Sequence, residues 1–208
     1  MKTHFALILL FLMISIEGFS QHDFTLSLEA GPNYVNRRFD NPDKIYTNDV
    51  LPQHTLSASI KAGYQLFKGL HIISGLQYFE RSLTVIIEIG GNADMSYHYI
   101  ELPILAKYDI GLGNFNISPV VGITNGLLFA ISSKNETQGW EDVGYIWEMG
   151  EAVNKYIPSF YGGLELSYWI NNLGFKIEPT FTHSLRSKWE HSMVNEYFYS
   201  YGMNFGII

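Results

Sequence analysis

The feature that most constrains the fold of this chain is an alternation of apolar and polar residues with a period of two. Over residues 56–66 every even position is apolar, while the odd positions hold Ser, Lys, Gly and Gln. Successive side chains of an extended strand point to opposite faces, so such a segment forms a strand with one apolar and one polar face. The pattern predicts eight strands, at residues 24–31, 56–66, 70–87, 100–109, 115–130, 157–170, 175–182 and 197–207.

The segments between these predicted strands alternate between long and short. The short ones carry turn-forming residues, among them Gly69, Gly113 and Asn171. A transmembrane β-barrel has short periplasmic turns and longer extracellular loops, because successive hairpins point to opposite sides of the membrane. The predicted turns are 67–69, 110–114 and 170–173, and the predicted loops are 37–54, 88–97, 131–156 and 186–195.

The first residues have the composition of a signal peptide. Lys2 precedes an apolar run at 5–16, and small residues stand at Gly18 and Ser20. We therefore expect residues 1–20 to be cleaved before Gln21, which leaves 21–208 as one barrel domain. The later part of the sequence contains no apolar segment of the 18 or more residues that a spanning helix needs. Two classes remain, a secreted soluble β-barrel and a membrane β-barrel.

The composition of the two rows of side chains separates these classes. The apolar rows of the clearest strands carry no charge, as a wall facing lipid requires. The polar rows are rich in Gly, Ser and Thr and hold four positive and five negative residues, a balance that suits an enclosed lumen. Tyr also lies near several strand ends, where aromatic girdles meet lipid headgroups. The predicted lumen-facing charges are Glu29, Lys61, Arg81, Glu101, Lys107, Asp109, Glu165, Lys176 and Glu178.

These observations predict an all-β fold, an eight-stranded antiparallel up-and-down transmembrane β-barrel with its apolar side outward. In the alternative, a soluble lipocalin-like barrel or sandwich, the same apolar rows would point inward. The strand from Tyr99 to Tyr108, with sequence YIELPILAKY, resembles the YLEIPLLLKY strand of the Bacteroidetes outer-membrane β-barrel family, also called PorT-like. Further similarity lies in Ser74–Tyr78, after a short turn. The resemblance implies an eight-stranded barrel in a Gram-negative outer membrane, without catalytic residues, and its best-known members are linked to protein secretion.

Three residues of this strand lead to local expectations. Glu101 and Lys107 share the inward face but stand six residues apart, roughly 20 Å along a strand. We therefore expect each to pair with an opposite charge on a neighbouring strand. Pro103 lacks a backbone N–H, so it predicts a bulge or a missing hydrogen bond in the ladder.

The sequence carries little that points to chemistry. It has 13 Lys and Arg against 20 Asp and Glu, a net charge of −7, which excludes a basic surface for nucleic acid. It has no cysteine, and its histidines lack the spacing of a zinc hydrolase. His98 and His183 can meet a loop carboxylate such as Asp94 to form an acid–base pair, but the interpretation that we favour is polar histidines at the membrane interface. We predict no catalytic residue, no cofactor and no metal site.

The predicted loop 131–156 is the strongest candidate for a contact with another protein. Its charged residues sum to −3, and it holds Trp140, Tyr145 and Trp147. Exposed aromatic residues are frequent at interfaces. The other interpretation is a loop that folds over the barrel mouth and buries its own rings.

An eight-stranded barrel has a lumen about filled by its side chains, which disfavours general diffusion of solutes. The sequence therefore predicts a non-enzymatic outer-membrane scaffold or interaction protein that acts through its extracellular loops, surrounded by lipid and monomeric. Three alternatives remain open: an accessory role in protein secretion or envelope assembly, a narrow channel for small solutes, and a membrane-embedded hydrolase or acyltransferase.

Overall fold

The structure, a computed structural model, describes residues 24–40, 50–87, 91–135, 140–145, 153–188 and 195–208. The expected signal peptide lies outside these ranges. Within them, no helix is long and apolar enough to cross a membrane. The strands are β1 (Phe24–Asp40), β2 (Val50–Phe67), β3 (Leu70–Ile87), β4 (Gly91–Tyr108), β5 (Ile110–Leu112), β6 (Phe115–Asn135), β7 (Trp140–Tyr145), β8 (Tyr156–Ile170), β9 (Leu173–Ser184) and β10 (Asn195–Ile207).

The strands close into an antiparallel barrel. Neighbours around the wall are β1, β2, β3, β4, β6, β8, β9 and β10, and the short β5 continues the line of β4 along β6. The first and last strands complete the circle, with Leu28 opposite Ile207 and Tyr34 opposite Tyr201. Closure leaves no open edge in the wall, as a sheet in lipid requires. The predicted eight-stranded up-and-down topology is confirmed.

The apolar rows face outward. Leu56 is 64% exposed and Ile60 46%, while the adjacent Lys61 is only 2% exposed. On β4, Leu102 is 45% exposed and Glu101 only 1%. Charged side chains are thus enclosed while large apolar ones cover the outside, the arrangement of a transmembrane barrel. The soluble alternative, in which the apolar rows point inward, is wrong.

Three two-residue turns form the periplasmic end. Gly69, Gly113 and Asn171 adopt positive φ angles of 83°, 72° and 54° in these turns. Glycine reaches this region without a steric penalty, and asparagine tolerates it better than most residues. The turn residues recognised in the sequence therefore lie in the turns, but the predicted turn 110–114 is too long, because β5 (Ile110–Leu112) occupies its first three residues.

On the extracellular side the strands are longer than predicted. β1 continues to Asp40, β2 begins at Val50, and β3 and β4 are separated only by 88–90. The predicted bounds of the loops 37–54 and 88–97 are therefore wrong. β6 has 21 residues, roughly 70 Å of chain, whereas the apolar band of such barrels is about 25 Å tall. Once both faces meet water the alternation of apolar and polar residues ends, although backbone pairing continues, so the sequence pattern stops short of the strand ends.

The predicted loop 131–156 also contains regular structure. β6 extends through Asn135, and β7 pairs with it antiparallel, from Ala130 opposite Tyr145 to Asn135 opposite Trp140. This segment is thus in part a β-hairpin that continues the wall above the membrane. The prediction of a loop is wrong for these residues.

The ladder between β3 and β4 is interrupted beside Pro103. Paired residues run as far as Ser74 opposite Ile104 and resume with Gln77 opposite Glu101. The Ser74 hydroxyl donates to the Pro103 carbonyl at 2.9 Å. The interruption agrees with the expected loss of a hydrogen bond, whereas the register shift of β4 lies elsewhere, at His98 and Tyr99.

Candidate functional site in the barrel lumen

A network of charged side chains crosses the periplasmic half of the lumen. Its centre is Lys176 on β9, whose Nζ lies 2.7 Å from Glu29, 2.8 Å from Glu165 and 3.0 Å from Glu178. Glu29 also accepts from Lys61 at 2.8 Å. Because a buried charge is expensive without a partner, this sharing of one ammonium by three carboxylates makes the layer interdependent.

The network continues towards the periplasmic turns. Lys107 Nζ lies 3.1 Å from Glu165 and 3.3 Å from Asp109. His71 Nε2 lies 2.9 Å from the other oxygen of Asp109, and Ser118 donates to that carboxylate at 2.6 Å. Burial raises the pKa of Asp109, but the bond from His71, the charge of Lys107 and the Ser118 hydroxyl together hold it well below its usual value. We name this set the charge network: Glu29, Lys61, His71, Lys107, Asp109, Glu165, Lys176 and Glu178.

A separate ion pair lies deeper in the barrel. Arg81 Nη2 on β3 donates to Glu101 Oε1 on β4 at 2.7 Å and to the Ser159 hydroxyl at 3.0 Å. Arg81 and Glu101 are 2% and 1% exposed. Glu101 thus pairs with a neighbouring strand as expected. Lys107 does not, because its partner Glu165 lies on β8 beyond β6, and a narrow lumen lets a lysine side chain reach past one strand.

The structure places all nine predicted lumen charges on the inner face. Eight are buried, and the side chain of Asp109 is 21% exposed near the periplasmic end. The residue types that alternation assigned to the polar face are therefore the ones that meet in the interior. Any role of these charges beyond structure stays a prediction.

The extracellular half of the lumen holds an apolar cluster beside its buried ion pairs, which the sequence analysis did not predict. Aromatic and aliphatic side chains from several strands pack together there. We name them the outer lumen cluster: Val35, Phe79, Leu83, Tyr97, Tyr99, Leu128, Ile131, Ile157 and Phe198. Most of them project inward because their positions continue the polar row of their strand into its extracellular part. Ile131 has the opposite parity to Leu128 on the same strand, and it lies beyond the register shift beside His98 and Tyr99.

Two cations lie against the rings of this cluster. The Arg81 guanidinium carbon is 4.7 Å from the centre of the Tyr99 ring and 5.4 Å from that of Phe79. Lys188 Nζ is 4.2 Å from the centre of the Tyr97 ring. A cation over an aromatic face is attracted by the ring quadrupole, more strongly when water is excluded. The rings of the cluster therefore stabilise two buried cations.

Two short segments fold over the extracellular mouth beside this cluster. Asn154 N–H donates to the Lys188 carbonyl at 2.8 Å, and Lys188 N–H donates to the Glu196 carbonyl at the same distance. Lys188 also faces the Glu196 carboxylate at 3.5 Å, and Arg37 meets that carboxylate at 2.8 Å. Burial lowers the pKa of Lys188 to about 8, against the opposing charge of Glu196.

Sequence reasoning missed several residues of the interior. Arg37, Lys188 and Glu196 fell in or beside predicted loops, where alternation gives no direction for a side chain. Tyr97 and Tyr99 are 0% exposed, and the sequence analysis did not assign them to the interior. Their odd parity, shared with Glu101, was the available signal that they point inward.

The predicted histidine–carboxylate pair is not formed. His98 Nδ1 lies 2.8 Å from the Tyr78 hydroxyl and its Nε2 lies 3.1 Å from the Ser132 hydroxyl. Asp94 accepts instead from the hydroxyl of Thr84. His183 stacks on Tyr197, with ring centres 6.3 Å apart. Both histidines therefore lie among polar and aromatic side chains, as the interfacial interpretation expected.

The residues predicted to contact a partner protein lie partly in a strand and partly outside the described residues. Trp140 and Tyr145 are the first and last residues of β7, and Trp147 lies outside the described residues. In the part of the chain that the structure describes, no three His, Asp or Glu side chains are grouped so that they could hold a metal ion.

Comparison with known proteins supports the fold. No protein-family model and no curated protein matches the chain. Among solved structures, the outer membrane protein OprG from Pseudomonas aeruginosa is 12% identical, with a TM-score of 0.51, covering 89% of this chain and 96% of its own. Neisserial surface protein A is 13% identical, with a TM-score of 0.48, covering 88% of this chain and 96% of its own. The attachment invasion locus protein Ail of Yersinia pestis is 12% identical, with a TM-score of 0.40, covering 88% and 98%.

The closed eight-stranded wall, the apolar exterior and the charged interior together define the class of protein. The chain is an integral outer-membrane β-barrel, and it shares this fold with OprG.

Proposed function

We propose that this protein is a non-enzymatic outer-membrane scaffold or interaction protein whose working surface is its extracellular side. The observation that carries the proposal is the filling of the lumen from both ends. The charge network occupies the periplasmic half and the outer lumen cluster the extracellular half. A barrel of eight strands leaves little room beside such side chains, which argues against a transport pathway.

The extracellular strands give the second support. β3 and β4 extend as a hairpin to within three residues of each other, and β6 and β7 form another. Backbone pairing holds these hairpins in fixed positions above the lipid. Rigid strands that carry surface residues are well suited to contact a partner, because little conformational freedom is lost on binding.

The proposal is tested by site-specific photo-crosslinking on intact cells. A crosslinking residue at Trp140, at the start of β7, should capture a discrete partner. The same residue at Asn171, in a periplasmic turn, is the matched control and should not capture it. Equal crosslinking patterns at both positions would contradict an extracellular working surface.

The channel alternative is tested separately in planar bilayers. We expect no discrete conductance from the purified barrel. Conductance steps that change when Glu101→Ala removes the carboxylate facing Arg81 would favour a narrow channel instead. The hydrolase alternative predicts an activity lost in His183→Ala, and that histidine has a stacking partner rather than a carboxylate.

An accessory role in protein secretion or envelope assembly is the second candidate. It depends on the further proposal that the chain is a member of the PorT-like Bacteroidetes family. Both rest on the Tyr99–Tyr108 strand, whose Glu101 and Lys107 are paired inside the barrel. Deletion of the gene in its native host should then lower the level of secreted proteins in the medium. Unchanged secretion would contradict this accessory role. If a partner is crosslinked in the same strain background, the scaffold role remains as the proposed function.

Export and assembly complete the proposal. The mature protein begins at Gln21 after removal of residues 1–20, and it resides in the lipid bilayer as a monomer. N-terminal sequencing of the protein from purified outer membranes checks the first point. Sedimentation in detergent checks the second, and a dimeric mass would contradict it.

A further inference from the structure

Five buried polar atoms in the middle of the lumen lack a hydrogen-bond partner among the described residues. They are Gln77 Oε1, Arg81 Nη1, Tyr99 Oη, Glu101 Oε2 and Thr124 Oγ1. All five side chains are at most 3% exposed. Buried polar groups are nearly always hydrogen-bonded, so a group of five needs a physical account.

These atoms belong to one patch of the wall. Gln77 and Arg81 lie on β3, Tyr99 and Glu101 on β4, and Thr124 on β6, three strands in succession. Gln77 stands opposite Glu101, and the Arg81 Nη2 bond to Glu101 Oε1 is only 2.7 Å long. The shared neighbourhood points to one occupant that several of these groups bind together.

Gly126 lies against this patch. It stands opposite Glu101, and a Cβ there would lie 3.1 Å from the Ile157 carbonyl oxygen, 3.3 Å from Glu101 Oε1 and 3.4 Å from Tyr99 Cδ1. A larger residue would therefore push against the Glu101 carboxylate and the Tyr99 ring. Glycine at this position lets both side chains, and their unpartnered oxygens, lie close to the backbone of β6.

The hydrogen-bonding types of the five atoms are complementary to water. Gln77 Oε1 and Glu101 Oε2 accept, Arg81 Nη1 donates, and the hydroxyls of Tyr99 and Thr124 do either. Water donates two hydrogen bonds and accepts others, and a buried water makes about three bonds to such groups. We propose that these side chains enclose a hydration site, about two ordered water molecules that complete the hydrogen bonding of the Arg81–Glu101 pair.

Water fits better than a cation. The guanidinium of Arg81 already balances the carboxylate of Glu101, and the rings of Tyr99 and Phe79 flank that guanidinium. A bound cation would lie near the positively charged Arg81 guanidinium, and the patch offers it no further carboxylate to balance its charge. The hydration site includes Tyr99 of the outer lumen cluster, and it is independent of the proposed function.

A crystal structure at high resolution tests the proposal directly. We expect density for water within hydrogen-bond distance of Glu101 Oε2 and at least two of the other four atoms. Density for direct contacts among these five atoms, without water, would overturn the proposal. Anomalous signal at this place after a thallium soak would overturn it as well, because thallium reports a monovalent cation.

A pair of tyrosine variants tests it in solution. Tyr99→Phe removes only a hydroxyl that, in the proposal, bonds to water, and it should lower the equilibrium constant for folding roughly fivefold. Tyr161→Phe is the matched control, since this buried hydroxyl donates directly to Glu178 at 2.6 Å. Its removal should lower the constant by about tenfold or more, because that acceptor is charged.

The direction of the first change is decisive. If the Tyr99 hydroxyl were buried without any partner, its removal would relieve a desolvation penalty and raise the folding constant. An unchanged or raised constant for Tyr99→Phe therefore contradicts the hydration site. A fall for Tyr161→Phe in the same detergent shows that the assay detects the loss of one buried hydroxyl.

Discussion

The two halves of the lumen solve the same packing problem with different chemistry. In the periplasmic half, Lys176 contacts Glu29, Glu165 and Glu178, and buried charges balance one another. In the extracellular half, nine apolar and aromatic side chains pack together, and their rings contact the buried cations Arg81 and Lys188. Both halves present an apolar exterior to lipid, so the exterior places no constraint on which chemistry fills the inside.

The difference has consequences for how each half responds to change. Removal of one charge in the periplasmic half leaves other charges buried without a partner, a penalty larger than the lost interaction. Removal of a methyl group in the extracellular half costs only packing and transfer free energy. We therefore expect the periplasmic half to be the more sensitive to single substitutions.

The largest effect should come from Lys176→Met. Three carboxylates lose a shared ammonium, and breaking a buried ion pair from one side costs about 3–5 kcal/mol. The free energy of unfolding, measured by urea titration of the barrel in detergent micelles, should fall by that amount. Lys68→Met in an exposed turn is the control and should change little, and a small effect at position 176 would show that the network is not coupled.

A lipid-facing charge should have the next largest effect. Ile60 lies within β2 on the outer wall and is 46% exposed, whereas the adjacent Lys61 points inward and is 2% exposed. Ile60→Arg should lower the unfolding free energy by about 2–4 kcal/mol, because arginine at the bilayer midplane is costly. Leu66→Arg, near the end of the same strand, should cost at most about 1 kcal/mol. Equal costs at both positions would contradict the placement of the bilayer.

The pH dependence of stability should report on Lys188. Its folded pKa, about 8, lies below the ordinary value of 10.5, so the unfolded chain binds more protons between these values. Stability should therefore rise as the pH increases from 8 towards 10.5, by at most ~1.4 kcal/mol per pH unit. The measurement is the difference between the wild type and Lys188→Met, and a difference that does not change with pH over this range would contradict the lowered pKa.

The smallest effect is expected in the outer lumen cluster. Ile157 is 0% exposed, and Ile157→Val should lower the unfolding free energy by about 1 kcal/mol. Ile177→Val on the lipid-facing wall is its control and should cost less, because lipid chains fill the space that the methyl group leaves. A larger loss at 177 than at 157 would contradict the assignment of inside and outside.

Much of the fold could be predicted from the alternation of apolar and polar residues along each strand. Residues 56–66 revealed their strand, their two faces and, through Lys61, which face is enclosed. The periplasmic turns followed from Gly69, Gly113 and Asn171. The predictions failed at the extracellular ends, as at Asp40 and Asn135, because a strand that leaves lipid needs no apolar face.

The contents of the lumen were predictable only in part. Alternation identified Lys176 and Glu165 as inward, but not that they meet, since the partners lie on different strands. It gave no reason to place Lys188 inside, because a residue beyond the strand end has no parity to follow.

The amino-acid order by itself determined the number of strands, their direction and the lipid-facing side, because each depends on neighbours along the chain. Only the closed tertiary structure decided which charges share partners, that aromatic rings occupy one half of the interior, and that Arg81 and Glu101 stand among unpartnered polar atoms. These features arise where side chains from strands distant in sequence converge on one axis, and no local pattern records that convergence.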